Sequence, residues 1–425
     1  WIGRQGAITL IKSPAVWWDM AKKSMTDIRE TLKSKGLKQE DELMAEIYSD
    51  FDYINGNYKK AGISFGMEEE VPIKLLERLP IIGRGFEAAD VSFLDSAIRA
   101  RRGLFKIQKQ IYEATEQPLT DKILRDIGTH VNAITARGKV GKIGGGRVTQ
   151  LLLWAPRMLK ADWDILTTHT FGFGLETGYG RIQAAKTITN VVIATAGITA
   201  IAKAMGAEVE TDPRSTDFLK IKIGDIRINT PFARGMPQIV TLMARIATQE
   251  SKSSIGIITK FNSGEYGSKT IFDVGMDFLV NKTNPPAGAI LSWLRERDFT
   301  GKQPTIGSTS FGFLPISVQN FIGLKDDASA MAVFGAFADL FGIGSNTYKQ
   351  ETDWEQKTSK EMVQFRAQVG DEKLQEANDK FNTLFSARLN EIKNNPTFQS
   401  LSNDDKQRKI TEETDKIKEL VCKEY

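Results

Sequence analysis

Residues 211–238 read TDPRSTDFLKIKIGDIRINTPFARGMPQ, and here the pattern of the chain clearly stops being helical. Apolar and polar residues alternate over 219–223 and again over 226–229, and a Gly-Asp pair separates the two runs. This pattern predicts a tight β-hairpin, because glycine adopts the positive φ that a type II′ turn requires. The turn puts the aliphatic side chains on one face of the hairpin, with Ile223 opposite Ile226 and Ile221 opposite Ile228.

The other face of the hairpin carries Lys220, Lys222 and Arg227. The predicted register puts Lys222 directly opposite Arg227, and like charges in that position cost roughly a few tenths of a kcal/mol. Two interpretations stay open. Either solvent and Asp217 or Asp225 screen the pair, or an anion binds to it.

Composition excludes several classes of site. The 425 residues are 41% hydrophobic and 26% charged, which is ordinary for a globular protein, and the net charge of +4 does not by itself indicate nucleic-acid binding. One cysteine, Cys422, excludes an internal disulfide framework, and with only two histidines we expect no zinc site. No secretory signal is visible, and the start at Trp1 suggests a portion of a longer chain.

Outside the hairpin, apolar residues recur at helical spacing, so the predicted fold class is mainly α-helical and multi-helix, with one small β-hairpin at about 219–228. A long helix from about Phe86 to Ala114 carries basic residues at its middle, which we interpret as a solvated face. A helix is also predicted from Asp41 to Ile54. The predicted domains are an N-terminal helical domain (1–125), a helical core with the β-hairpin (126–350) and a charged C-terminal helical pair (351–425).

A second basic region lies at 127–161, which contains no acidic residue and has RGKVGKIGGGR at its centre. Glycine-rich basic segments can bind phosphate through backbone N–H groups and cations, but the P-loop and dinucleotide patterns are both incomplete here. The alternatives are a basic linker between helices and a contact with a nucleic-acid backbone. The candidate nucleic-acid-binding residues are Arg137, Lys139, Lys142, Arg147, Lys220, Lys222 and Arg227.

Two stretches raise the question of a membrane or partner. Thr187–Ala202 has sixteen uncharged residues in a row, whereas a bilayer span needs ~20 predominantly apolar residues. We interpret it as a core helix, with a conditional membrane helix as the alternative. Thr170–Gly180 alternates glycine with aromatic residues, so its aromatic side chains must either bury locally or contact a partner.

Catalytic groupings are not recognisable in this sequence, which lacks the common hydrolase and metalloprotease motifs. His169 stands among threonines and could belong to an active site, although a polar helix end is the simpler interpretation. Glu176 could act as a general acid, but nothing in the sequence pairs with it. We therefore predict no enzyme activity, no cofactor and no metal.

Several blocks of the sequence follow one another in a recognisable order. They are HVNAITARGKVGKIGGGRVTQLLLWAPRML (His130–Leu159), DPRSTDFLKIKIGDIRI (Asp212–Ile228), YGSKTIFDVGMDFL (Tyr266–Leu279), RDFTGKQPT (Arg297–Thr305) and FGIGSNTY (Phe341–Tyr348). Together these blocks resemble large polyvalent phage proteins, in the order expected for that family. The resemblance spans about Ile81 to Tyr348 and depends on the order of the blocks. The departures are the glycine linker at 144–146 and the charged tail after Asp353.

The resemblance implies the C-terminal region of a very long chain that is packaged in the virion and ejected into the host with the genome. It implies a non-enzymatic segment and carries over no catalytic residue. The implied partners are other virion proteins of the portal, tail or inner core, and further copies of the chain. Phage DNA and, during ejection, the host membrane are further partner hypotheses. The implied location is the virion and then the host envelope or cytoplasm.

Overall fold

The computed structural model describes most of the chain, and every structural statement below concerns the described residues. Some predicted features lie outside them, namely Lys142, Arg147, the glycine linker at 144–146 and the Gly224-Asp225 turn. The described residues are 6–33, 37–63, 65, 83–141, 156–223, 226–253, 256–263, 269–283, 285–294, 305, 309, 345–347, 353–401 and 403–425.

The architecture is mainly α-helical with small antiparallel sheets, as predicted. The first part of the chain forms α1 (Ala7–Lys12), α2 (Pro14–Lys33), α3 (Leu37–Tyr48), α4 (Phe51–Ile54), α5 (Asn57–Ala61), α6 (Gly83–Glu113), α7 (Asp121–Ile134), α8 (Pro156–Trp163) and α9 (Gly178–Ala204). The later elements are β1 (Glu208–Val209), β2 (Lys220–Ile223), β3 (Ile226–Asn229), α10 (Met236–Thr248), β4 (Glu250–Lys252), β5 (Ile258–Lys260), α11 (Ile271–Val280), α12 (Pro285–Leu294), β6 (Ser345–Thr347), α13 (Asp353–Lys393), α14 (Pro396–Gln399) and α15 (Asn403–Cys422).

The hairpin forms with the predicted register, since Ile223 pairs with Ile226 and Lys222 pairs with Arg227. It is the centre of a four-stranded antiparallel sheet in the order β1-β2-β3-β6. The sequence pattern indicated only the two central strands, because β1 and β6 are two and three residues long. Strands that short carry too few residues for an alternating pattern to be visible.

The chain divides into two compact units. The first comprises Trp1–Val209, Leu219–Pro237 and Lys282–Thr347, and the second comprises Glu210–Phe218, Gln238–Asn281 and Tyr348–Tyr425. The three-part division drawn from the sequence stays a prediction.

Side-chain capping explains one helix boundary in the first unit that differs from the prediction. The helix predicted from Asp41 to Ile54 is two helices, α3 and α4, because the Asp50 carboxylate accepts a hydrogen bond from the backbone N–H of Asp52 at 3.1 Å and starts a new helix there. The core of this unit centres on α6 and α7, where large side chains are fully enclosed. They include Ile47, Tyr58, Ile98, Leu104, Phe105, Leu124, Ile127 and Ile134.

The basic stripe of α6 is not the solvated face that the sequence suggested. Arg102 Nε lies 2.7 Å from Asp50 Oδ2, and Lys106 Nζ lies 2.6 Å from the same oxygen. Lys109 Nζ lies 2.6 Å from Asp52 Oδ1. The carboxylates come from the loop between α3 and α4 and from α4 itself, so their contact with α6 depends on tertiary packing.

In the second unit, α13 and α15 form the antiparallel pair that the charged tail predicts. Lys380 pairs with Glu424 and Arg388 pairs with Glu413, so residue numbers increase along one helix while those of its partners decrease, as in an antiparallel pair. The apolar seam contains Phe365, Leu374, Ala377 and Val421.

Candidate functional site

A buried arginine joins the end of α7 to α8. Arg234 follows the short 3₁₀ turn Pro231–Ala233, and its side chain is excluded from solvent. Its Nη1 donates to the carbonyl oxygen of Ile134 at 2.8 Å and its Nη2 to that of Ala133 at 3.2 Å, so the guanidinium binds two carbonyls of the last turn of α7. The same Nη2 lies 2.5 Å from Oδ1 of Asp162, which is buried as well. The two opposite charges therefore compensate each other inside the core.

Two copies of the tripeptide Ala-Arg-Gly, at 136–138 and 233–235, contact α8. The N–H of Gly138 donates to the carbonyl oxygen of Arg157 at 3.0 Å, and that of Gly235 donates to Asp162 Oδ2 at 3.1 Å. A Cβ at Gly138 would lie 2.5 Å from a backbone nitrogen of α8, and one at Gly235 would lie 2.7 Å from the Asp162 carboxylate. Glycine at 138 therefore allows two backbone segments to approach closely, and glycine at 235 leaves room for the buried Asp162 carboxylate.

Arg234 has φ 48° and ψ −120°, a conformation that residues other than glycine rarely adopt. Such a conformation costs on the order of 1–3 kcal/mol and persists only where surrounding interactions hold it. Here the ion pair and the two carbonyl contacts hold it.

Asp126 fixes the start of α9. Its carboxylate accepts hydrogen bonds from the backbone N–H groups of Glu176 at 2.9 Å and Thr177 at 2.7 Å, and from the Thr177 hydroxyl at 2.6 Å. Thr177 in turn caps α9 by accepting from the N–H of Gly180 at 3.1 Å. Glu176, a candidate general acid in the sequence, instead pairs with Arg125, whose Nε lies 2.8 Å away.

Both histidines are buried in the first unit. A hydrogen bond of 2.9 Å joins His130 Nε2 to Thr187 Oγ1 on α9. Burial lowers the pKa of His130 well below its usual value, and the charge of Lys12 lowers it further. Burial also lowers the pKa of His169, against an opposing effect of the Asp164 carboxylate. Both imidazoles are therefore neutral at pH 7. His169 lies directly after the π-helical turn Asp164–Thr168, at a helix end as the sequence suggested, and it is buried there.

This cluster acts as a packing junction. Its carboxylates accept hydrogen bonds from backbone groups or pair with cations, and its histidines are enclosed. Among the described residues there is no group of three or more histidine, cysteine or acidic residues arranged to hold a metal ion. The side chains that remain available to a partner lie on the surface around this junction.

Aromatic side chains on the turn after His169 divide into buried and exposed. Tyr179 is packed, since its hydroxyl donates to the carbonyl oxygen of Gln108 at 2.8 Å. Phe171 and Phe173 are 72% and 68% exposed. Glycines at 172 and 174 have φ of 78° and 74°, so left-handed glycines shape the turn that presents the two rings.

Helix α9 buries its more polar side and exposes aliphatic residues. Ile193 is 64% exposed and Ile201 60% exposed, and Ile182 and Val192 are also exposed. A core helix, as the sequence suggested, would bury such side chains, so that interpretation accounts for only one face of α9. The buried positions are Gly180, Gln183, Ala184, Thr187, Val191 and Thr195.

Comparisons with protein-family models, curated proteins and solved structures found no match for this chain. Among the described helices, α9 is long and apolar enough to cross a membrane by length and composition. That property alone is weak support for a membrane role, because core helices of soluble proteins share it.

The seven predicted nucleic-acid-binding residues fall into separate places. The pairing of β2 with β3 brings Lys222 and Arg227 together, and Lys220 lies on the same face. Lys222 also pairs with Glu208 of β1 at 3.0 Å, a carboxylate that the sequence analysis did not consider. Of the other group, Arg137 and Lys139 lie in the segment after α7, where Lys139 Nζ is 3.5 Å from Thr129 Oγ1. Lys142 and Arg147 lie outside the described residues.

Sequence reasoning missed Arg234, Asp162 and Asp126 as organising residues. The repeated Ala-Arg-Gly tripeptide was a visible signal for Arg234. Asp126 and Asp162 carry no such signal, because their partners are far away in sequence.

Proposed function

We propose that this chain is a non-enzymatic structural and interaction segment of a large phage virion protein, delivered into the host with the genome. The ordered blocks that resemble large polyvalent phage proteins support the family part of the proposal. The proposed structural role is supported by the contacts that residues of those blocks make. In the block at 130–159, His130, Gly138 and Arg157 serve packing and hydrogen bonding between helices.

The proposed interaction role is supported mainly by the large apolar side chains that are exposed on the surface. Phe171 is 72%, Phe272 74% and Leu294 75% exposed. Single exposed apolar residues are common on soluble proteins, but clusters of them mark surfaces for partners. On α11, Phe272, Met276 and Leu279 follow helical spacing and are all exposed. The partners that we propose are virion proteins of the portal, tail or inner core and further copies of this chain.

Mass spectrometry of purified particles of the phage that encodes the chain tests this proposal. We expect its peptides in intact particles after nuclease and salt washing, with cross-links to other virion proteins. Particles that have released their genome should contain much less of this protein. A chain that is made during infection but is missing from washed particles would contradict the proposal.

The register of the hairpin favours a second candidate, a module that binds the backbone of the entering genome. Lys220, Lys222 and Arg227 share one face of two adjacent strands, although Glu208 neutralises part of that charge. Neutralising a cation that binds a DNA phosphate should reduce the salt dependence of the affinity by about one unit of slope. Replacing the three cations with alanine tests this, and unchanged affinity at low salt would remove the candidate.

A further inference from the structure

The exposed turn and the exposed side of α9 belong to the same unit and are close in sequence. We call the set Phe171, Phe173, Ile182, Val192, Ile193 and Ile201 the apolar face. Ile182 and Ile193 are eleven residues apart, about three helical turns, so they lie on the same line along α9. The side chain of Arg181 approaches the turn, since a Cβ at Gly172 would be 3.2 Å from its Cδ. The turn and the first part of α9 therefore adjoin.

The opposite side of α9 is attached to the rest of the unit by specific polar contacts. Thr187 is hydrogen-bonded to His130 at 2.9 Å, and Gln183 accepts a hydrogen bond from Lys12 Nζ at 2.8 Å. A Cβ at Gly180 would lie 2.4 Å from Asp126 Oδ2, so the helix start is tightly packed. In this conformation α9 can present one side to a partner and cannot be surrounded by lipid.

The charges on α9 decide the kind of partner. Its 27 residues include Arg181, Lys186 and Lys203 and no acidic residue. None of these cations forms an ion pair with a carboxylate in the part of the chain that the structure describes. Lys186 lies close to the line of Ile182 and Ile193, where a long lysine side chain can extend past apolar surface to reach a polar headgroup. Apolar side chains interleaved with unpaired cations are typical of surfaces that bind anionic membranes.

We propose that the apolar face docks on an anionic lipid bilayer while the protein stays folded, with α9 lying along the membrane surface. The aromatic rings at 171 and 173 and the aliphatic side chains of α9 enter the headgroup boundary, and the cations contact lipid phosphates. This inference goes beyond the proposed function and does not depend on it, because a chain absent from the virion could still bind membranes.

Vesicle flotation of the full chain tests the proposal directly. We expect the protein to float with vesicles of phosphatidylcholine and phosphatidylglycerol, and to bind them more weakly at high salt or without phosphatidylglycerol. The double substitution Phe171→Ser and Phe173→Ser, and separately Ile193→Ser, should lower the partition coefficient by about tenfold. The matched control is Leu420→Ser, because Leu420 is 58% exposed, close to the 64% of Ile193, but lies on α15. It should bind like the unaltered chain.

A label at position 173 adds a reading of depth. The emission of an environment-sensitive dye at Phe173→Cys, in a Cys422→Ser background, should shift to shorter wavelength with anionic vesicles. The emission of the same dye at Leu420→Cys should not shift. The backbone amides of α9 should stay protected from hydrogen exchange when the protein is bound to vesicles, because the contact between α9 and His130 persists. Three results would overturn the proposal: no flotation of the unaltered chain, an equal reduction of binding in the control variant, or disappearance of protection along α9, which would indicate insertion across the bilayer.

Discussion

Replacing Asp50 by asparagine should destabilise the first unit in a pH-dependent way. The Asp50 side chain is 1% exposed and accepts contacts from Arg102 at 2.7 Å and Lys106 at 2.6 Å. Tyr58 also donates its hydroxyl to Asp50 at 3.2 Å. Asparagine keeps one oxygen, which can still cap α4 in place of Oδ1. Its NH2 group replaces Oδ2 and cannot accept from Arg102, Lys106 or Tyr58, so the substitution removes the charge together with the acceptor of these contacts.

The pKa of Asp50 sets the expected magnitude. Burial alone would raise it, but hydrogen bonds from Lys106 and Arg102 outweigh burial and lower the pKa from 3.8 to about 2. A shift of that size corresponds to about 2 kcal/mol of stability at neutral pH. Because the folded pKa lies below the unfolded one, this contribution is complete above about pH 4 and is lost as the pH falls toward 2.

Chemical denaturation followed by circular dichroism provides the assay. At about pH 7 we expect D50N to lower the free energy of unfolding by about 2 kcal/mol, and the difference should shrink at about pH 3. The control is Asp19→Asn, because Asp19 is 64% exposed and pairs with Lys23 along the surface of α2 at 3.3 Å. Exposed pairs of this kind contribute about 0–1 kcal/mol. Equal stability of D50N and the unaltered chain at pH 7, or a difference that does not change with pH, would refute the reasoning.

Four further substitutions follow, of which three test the junction around α7 and the fourth, Gly197→Ala on α9, is a matched control. Gly128→Ala should destabilise the protein by about 3 kcal/mol or more, because its Cβ would lie 1.9 Å from the carbonyl oxygen of Ala61. Gly197→Ala, whose Cβ would have nothing within 4 Å, should instead stabilise the protein by about 0.5–1 kcal/mol. The midpoint of denaturant unfolding measures both effects. Because the pKa of buried His130 is low, only the unfolded state binds a proton at this residue as the pH falls below 6.5, so the stability of the folded protein should decrease below that pH. His130→Gln should make the unfolding temperature depend less on pH in this range, which thermal unfolding measures. Arg234→Ala leaves the buried Asp162 carboxylate uncompensated and should cost about 3–5 kcal/mol, which a normal unfolding midpoint would contradict.

Local features of the sequence were sufficient for the helical class and for the hairpin, although the helix predicted from Asp41 to Ile54 forms as α3 and α4. Alternation of Ile221 and Ile223 with lysine fixes which side of the strand is apolar, and a two-residue turn then allows a single register. The antiparallel pair of α13 and α15 is similarly local, because a short break between two amphipathic helices returns the chain along itself. In each case the interacting residues are near in sequence or belong to adjoining elements.

The sequence by itself thus determined the helical class, the hairpin register and the two exposed phenylalanines as residues that needed either burial or a partner. Only the tertiary structure decided that Asp50 and Asp52 pair with basic residues of α6 and that Arg234 pairs with Asp162. It also decided that α9 turns its polar side inward and Ile193 outward. The physical reason is that the spacing of apolar residues along one segment indicates its secondary structure and its apolar side. Ion pairing and burial, in contrast, depend on which element from elsewhere in the sequence packs against that segment.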